Sequence, residues 1–182
     1  MAWPTTTTTP TGRRPRRPWT AGRVAAAVVI AALVAMWAYA FSGAASHESP
    51  LRVADRRWAD GAAEACAPMV AAIDALPPAN TARTPQERAE VLRRANAEVA
   101  ATIDRLAAVP PPADAEDARM VERWLADWRT YLGDRDAYAD LLAAGRDERF
   151  TLTAVNGDAI TEQMDDFALY NDLPDCETPG DV

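Results

Sequence analysis

The side chains that could do chemistry in this 182-residue chain are two cysteines, one histidine and 27 carboxylates. Cys66 and Cys176 lie 110 positions apart with no histidine beside either, which is not the clustered spacing of a zinc site. Nucleophile-and-base catalysis draws on a base that titrates near neutrality, usually histidine. The one histidine, His47, stands ahead of the folded region, so a Ser or Thr triad has no base. There is no GxSxG, no Walker loop and no GxGxxG. Carboxylates can in principle form a glycosidase pair or hold a divalent cation. The densest groups, Asp134/Asp136/Asp140 and Glu162/Asp165/Asp166, lack the alternating ligands and turn glycine of a calcium loop. With Arg129, Arg135 and Arg146 as neighbours they read as a solvated helical face. No catalytic residue, cofactor site or metal site is assigned, and the chain reads as a non-enzyme.

Aromatic side chains offer a second kind of chemistry. Trp58, Trp124, Trp128, Tyr131 and Tyr138 could stack on a sugar or a cation. The three- and four-residue steps from Trp124 to Trp128 and Tyr131 put them on or beside an apolar helical stripe. Core packing is therefore the expectation.

The elements that must position these residues fall on two sides of one apolar run. Val24 to Phe41 carries no charge, and the uncharged stretch continues to Ser46. As a helix it is about 35 Å long, enough to cross the ~30 Å hydrocarbon core with some tilt. This divides the chain into a Thr/Pro/Arg tail over 1–23, a span over 24–46 and a domain over 47–182. The tail, with TTTTTPTGRRPRRP, has no hydrophobic period and is expected to be disordered. Its Arg13, Arg14, Arg16, Arg17 and Arg23 are topogenic by the positive-inside rule, placing the N-terminus in the cytoplasm and the domain outside. The rival is a cleaved signal peptide, with small-residue sites at Ala38-Tyr39-Ala40 and Ser42-Gly43-Ala44. The long apolar run, the long leading segment and the interfacial set Trp37, Tyr39 and Phe41 favour an uncleaved anchor. Ala27, Ala31 and Ala35 form a small-residue line, a weak cue in so alanine-rich a helix.

Charge follows the same division. The whole chain is −8 and its first 23 residues contribute +5, so the remainder carries −13. Such acidity argues against nucleic acid and against a second, peripheral contact with anionic lipid. Lysine is absent, which reads as the coding bias of a GC-rich genome. Beyond the membrane the two cysteines are expected to pair, Cys66 with Cys176.

Within the domain, Ser49-Pro50 reads as a helix start, followed by an apolar stripe from Leu51 and Ala54 through Trp58, Ala62, Cys66 and Met69 to Ile73 and Leu76. Pro68 is expected to kink or interrupt that helix, and Pro77-Pro78 to end it. Thr84-Pro85-Gln86-Glu87 spells a capping box. Asp114 caps the longest helix, which stops at Gly145 and carries Met120, Val121, Trp124, Leu125, Trp128, Leu132, Tyr138, Leu141 and Leu142 on its inner face. Residues 147–155 are ambiguous between a short helix and an extended piece. Asn156-Gly157 is a turn and Asp158 the cap of a last helix. No period-2 alternation appears, so no sheet is expected. The fold class is all-α: one N-terminal transmembrane helix and an extracytoplasmic, antiparallel, four-helix-like bundle.

An Arg/Pro tail, one Ala/Val-rich span and a small acidic helical ectodomain with two cysteines resemble, in overall plan, uncharacterised single-pass envelope proteins of GC-rich Gram-positive bacteria of actinobacterial type. The resemblance implies a cell-membrane location with a single pass and no activity. The functional expectation is a membrane-anchored domain that acts by protein contact, as an accessory or scaffold subunit of the cell envelope. The alternatives are a binding domain for a small cationic or sugar-like ligand, a domain secreted after signal cleavage, and a carboxylate-dependent hydrolase.

Overall fold

The structure is a computed structural model that describes residues 20–42 and 49–181. The chain divides into two compact units, residues 1–47 and 48–182. In the first, α1 (Ala21–Phe41) is one helix in which no side chain is buried, although almost every one is apolar. It is long and apolar enough to cross a membrane. Near its C-terminal end Trp37 and Phe41, four residues apart, stack with ring centroids 5.4 Å apart. Arg13, Arg14, Arg16 and Arg17 lie outside the described residues, and Arg23 falls in the first turn of α1.

The second unit contains α2 (Arg56–Asp74), α3 (Pro85–Ala108), α4 (Ala115–Ala143) and α5 (Ile160–Tyr170). Contacts between named positions set their directions. Arg105, late in α3, donates to the Ala65 carbonyl midway along α2, and Val109, just past α3, lies against Gly61 nearer the start of α2. Arg88, early in α3, reaches Tyr138, late in α4. Trp124 donates to the carbonyl of Met164, and Gln163 to Asp127, so α5 runs back along α4. Consecutive helices are thus antiparallel, and the four form a bundle.

The sequence explains most of the ends. Thr84 Oγ1 accepts from Glu87 N at 3.1 Å, while Glu87 Oε2 accepts from Arg83 N at 2.8 Å, one residue ahead of the cap, so the box closes slightly wide. Asp114 Oδ1 accepts from the backbone N–H groups of Glu116 and Asp117, which holds its carboxyl below the usual range. Gly145, at φ +78°, takes the left-handed position past α4 that a side chain would resist.

Three local expectations fail, and of the kink or break expected at Pro68 the break is absent. Ser49-Pro50 makes a turn, with Ser49 Oγ accepting from Leu51 N, and α2 starts at Arg56 behind the cap Asp55. The extended piece between them buries Val53 and exposes Ala54. Pro68 does not interrupt α2, because it sits on the exposed face, where water can satisfy the freed Glu64 carbonyl. A short hairpin is present where no sheet was expected: β1 (Ala154–Val155) pairs antiparallel with β2 (Asp158–Ala159) around Asn156 and Gly157, both at positive φ. Asp158 belongs to that hairpin, and α5 begins behind Ala159 with no side-chain cap. Of residues 147–155, the ambiguous stretch, 147–153 contain neither helix nor strand and Ala154–Val155 are β1, so the extended alternative holds for its end alone.

Candidate functional site

The segment after α5 determines what the bundle presents. Asn171 ends α5 fully buried. Its side-chain oxygen accepts from Val53 N, and its nitrogen donates to the carbonyls of Leu51 and Phe167. Asp172 then takes positive φ, and the chain turns back as a strap along the bundle. Four contacts pin the strap. Cys176 is bonded to Cys66 of α2, with an S–S length of 2.07 Å and Cα atoms 5.3 Å apart. Thr178 donates through N and Oγ1 to Asp165 of α5 at 2.7 and 3.0 Å. Tyr131 of α4 donates from its hydroxyl to the Pro179 carbonyl. Asp181 receives both Nη atoms of Arg135 at 2.7 and 2.8 Å.

Arg135 is the residue that sequence reasoning misplaced. Expected on a solvated face, it is 0% exposed. Its Nε donates to Asn96 Oδ1 at 2.7 Å, Nη1 also reaches the Tyr131 hydroxyl at 3.1 Å, and Asn96 Nδ2 donates onward to Asp136. Burial pulls the guanidinium's pKa down, and the bonds to Asp181 and Tyr131 more than offset it, so the net shift is upward. Tyr131 is raised too, by burial, despite the favourable charge of Arg135. A signal was available in the spacing. Arg135 falls four residues after Tyr131 and three before Tyr138, on the apolar stripe itself, as Asn96 does between Leu92 and Val99.

Beside this cluster the strap forms one wall of an open groove of about 760 Å³, a size within the range of ligand pockets. The other walls are the C-terminal half of α2, the loop carrying Pro77 and Pro78, and Arg88, Val91 and Tyr138 from α3 and α4. Arg88 is bound to Asp147 at 2.9 Å and to Tyr138 Oη at 3.3 Å, and its hydrogen bond with the tyrosine is the main reason its pKa is raised. Its Nε is buried without an acceptor. Two carboxylates in the groove lining, Asp74 and Glu177, make no hydrogen bond or ion pair among the described residues.

The aromatic side chains are packed against each other. Trp124 meets Trp58 and Trp128 edge-on at 6.1 Å, and stacks on Phe167 at 4.8 Å. Trp58, Trp124, Trp128 and Tyr131 are 3% exposed or less, and of these Trp124 alone borders a hollow, the smaller one between α4, α5 and the hairpin. Tyr138 alone of the five borders the groove.

Four of the six acids in the two dense groups are drawn into structure, Glu162 and Asp166 stay exposed, and the groups do not converge. Asp134 accepts from Thr153, Asp136 from Asn96, Asp140 from Arg93 and Asp165 from Thr178. Among the described residues no three His, Cys, Asp or Glu side chains stand close enough to hold a metal ion. Asp127, beside a smaller hollow between α4, α5 and the hairpin, is raised by burial and tied to Gln163.

No protein-family model matches this chain. No curated protein and no solved structure matches it either.

Proposed function

We propose that the protein is a single-pass membrane protein of the cell envelope, with its N-terminus in the cytoplasm and its bundle outside, acting by contact with another protein. The observation that carries this reading is the contrast in burial between the two units. In α1 a run of large apolar side chains is left 46–81% exposed, whereas the bundle keeps Trp58, Trp124, Trp128 and Tyr131 at 3% exposure or less. A helix of that kind needs lipid to cover it. The Cys66–Cys176 bond adds a second support, since such bonds persist in oxidising compartments. The five arginines ahead of the span supply the orientation. Contact is favoured over catalysis because Asp134, Asp136, Asp140 and Asp165 hold structure, no set of acids converges among the described residues, and the bundle offers a groove.

The test is a C-terminal reporter active only outside the cytoplasm, combined with N-terminal sequencing of the mature protein from membranes. Activity together with an intact N-terminus is expected. A reporter active only in the cytosol overturns the topology. A mature chain beginning near residue 45 replaces the anchor with a secreted domain.

A further inference from the structure

The groove's chemistry narrows what can lie in it. Its floor is aliphatic, with Met69, Ile73 and Val91, and Val70 at its edge is 39% exposed. Of the charges that line it, Arg88 is neutralised by Asp147 and Asp181 by Arg135. What remains is Asp74 from α2 and Glu177 from the strap, two carboxylates from different walls with no cation to meet them. An uncharged or anionic occupant would strip water from both acids and return nothing. A cationic one compensates for that loss. The walls also carry Pro77, Pro78, Pro174 and Pro179, which donate no N–H, so an added strand has little backbone to pair with. Recognition there must run through side chains. The groove is open to solvent and not an enclosed cavity, which suits a segment of chain lying in it more than a small molecule sealed inside.

We propose that this groove docks a basic, apolar-faced peptide segment of a partner protein, with aliphatic side chains on the floor and a Lys or Arg between Asp74 and Glu177. The proposal rests on the contact reading given above and names the chemistry of the partner. The acidity of the whole domain then serves to attract a basic partner, and the groove selects it.

The experiment uses the full chain in nanodiscs of zwitterionic lipid and a fluorescein-labelled ten-residue peptide of alternating leucine and lysine, read by anisotropy. Comparison probes are the same peptide with glutamate for lysine, and hexylammonium as a small cation. The expected result is saturable binding of the lysine peptide, weakened about tenfold by D74N/E177Q. The charge-matched control D104N/E122Q, at exposed sites away from the groove, should shift it less than about twofold, as screened surface charges do. V70K should weaken binding further while circular dichroism shows the bundle intact. Equal loss in the two double variants makes the attraction a diffuse field and overturns the proposal. Equal binding of the glutamate peptide, or displacement by millimolar hexylammonium, overturns it as well. Because the groove is read in nanodiscs, this result is independent of cellular topology. A bundle found in the cytosol removes the envelope reading without touching the groove, and a failed titration removes the groove without touching the anchor.

Discussion

The two parts of the bundle core are held by different physics. Around Trp124 the contacts are ring on ring and ring on aliphatic, non-directional except for the one bond from Trp124 Nε1 to Met164 O. Around Arg135 they are directional: a guanidinium completely removed from water is satisfied by Asn96, Tyr131 and Asp181. The first kind of core loses stability in proportion to the volume removed. The second depends on complete sets, because one missing acceptor leaves a desolvated charge. The strap joins the two, since the same segment places Leu173 and Cys176 in the aromatic part and Asp181 in the polar one.

Cutting the strap loose should give the largest effect and separate the two parts most clearly. The bond closes a loop of 110 residues, for which chain entropy gives about 4–5 kcal/mol. In a Cys66→Ala/Cys176→Ala variant of the full chain in micelles, that is the expected loss in chemical denaturation. Hydrogen exchange should show α4 around Arg135 losing protection before α4 around Trp124. Simultaneous loss along the whole of α4 would mean the two parts are one cooperative unit.

Truncation inside the aromatic part comes next. Trp124→Ala should cost about 3–5 kcal/mol, as for other large buried aromatics. Trp124→Phe, which keeps a ring against Trp58 and Phe167, should cost clearly less. Near-UV circular dichroism and denaturation midpoints read both. A Phe variant as unstable as the Ala variant would show that the indole N–H bond, and not the packing, matters there.

The polar part should respond in the opposite way to size. Asp181 is 21% exposed at the mouth of the cluster, so water partly replaces it, and Asp181→Ala is expected to cost about 2–4 kcal/mol. Arg135→Met removes a larger side chain yet leaves no buried charge, and Asp181 can hydrate. It should therefore cost less, and adding it to Asp181→Ala should restore stability. If the two single losses simply add, the coupling inferred from geometry is absent.

This difference also explains what the sequence disclosed. Stripe positions such as Leu92, Val99, Trp124 and Leu142 repeat at helical spacing, so the helices, the bundle and most of the aromatic core were legible. The capping signals at Thr84 and Asp114 are local and were legible for the same reason. Arg135 and Asn96 stand on those stripes but are polar, and their acceptability inside depends on Asp181, 46 residues further on. No local window contains that information. Asn171 is similar, holding Val53 and Leu51 across 118 and 120 positions. Those long-range bonds pull residues 51–53 out of the helix that Ser49-Pro50 seemed to open. The groove was illegible for another reason: its walls come from three helices, a proline loop and the strap.

The smallest effect concerns the strap's contact with α5. Burial raises the pKa of Asp165, only partly opposed by the bonds from Thr178, and the neighbouring Asp166 adds to the rise. A carboxyl whose folded pKa lies above its unfolded value of about 3.9 contributes stability that is full below the unfolded value. That contribution is lost as pH rises through the folded one. At neutral pH the ionised form is therefore a small cost, partly screened because the side chain is not fully enclosed. Asp165→Asn removes the charge and keeps a carbonyl for the N–H of Thr178. Near pH 7 the variant should match or slightly exceed the unaltered protein, within about 1 kcal/mol. As pH falls toward 4 the unaltered protein should gain on it, because only there does Asp165 take up its proton. Denaturation midpoints of the pair across that range measure the difference directly, with every other titrating group common to both. A gap that stays constant would mean that the Thr178 bonds balance burial at this site, and one that widens in the variant's favour in acid that they outweigh it. The strap would then be held at Asp165, as at Arg135, by charge.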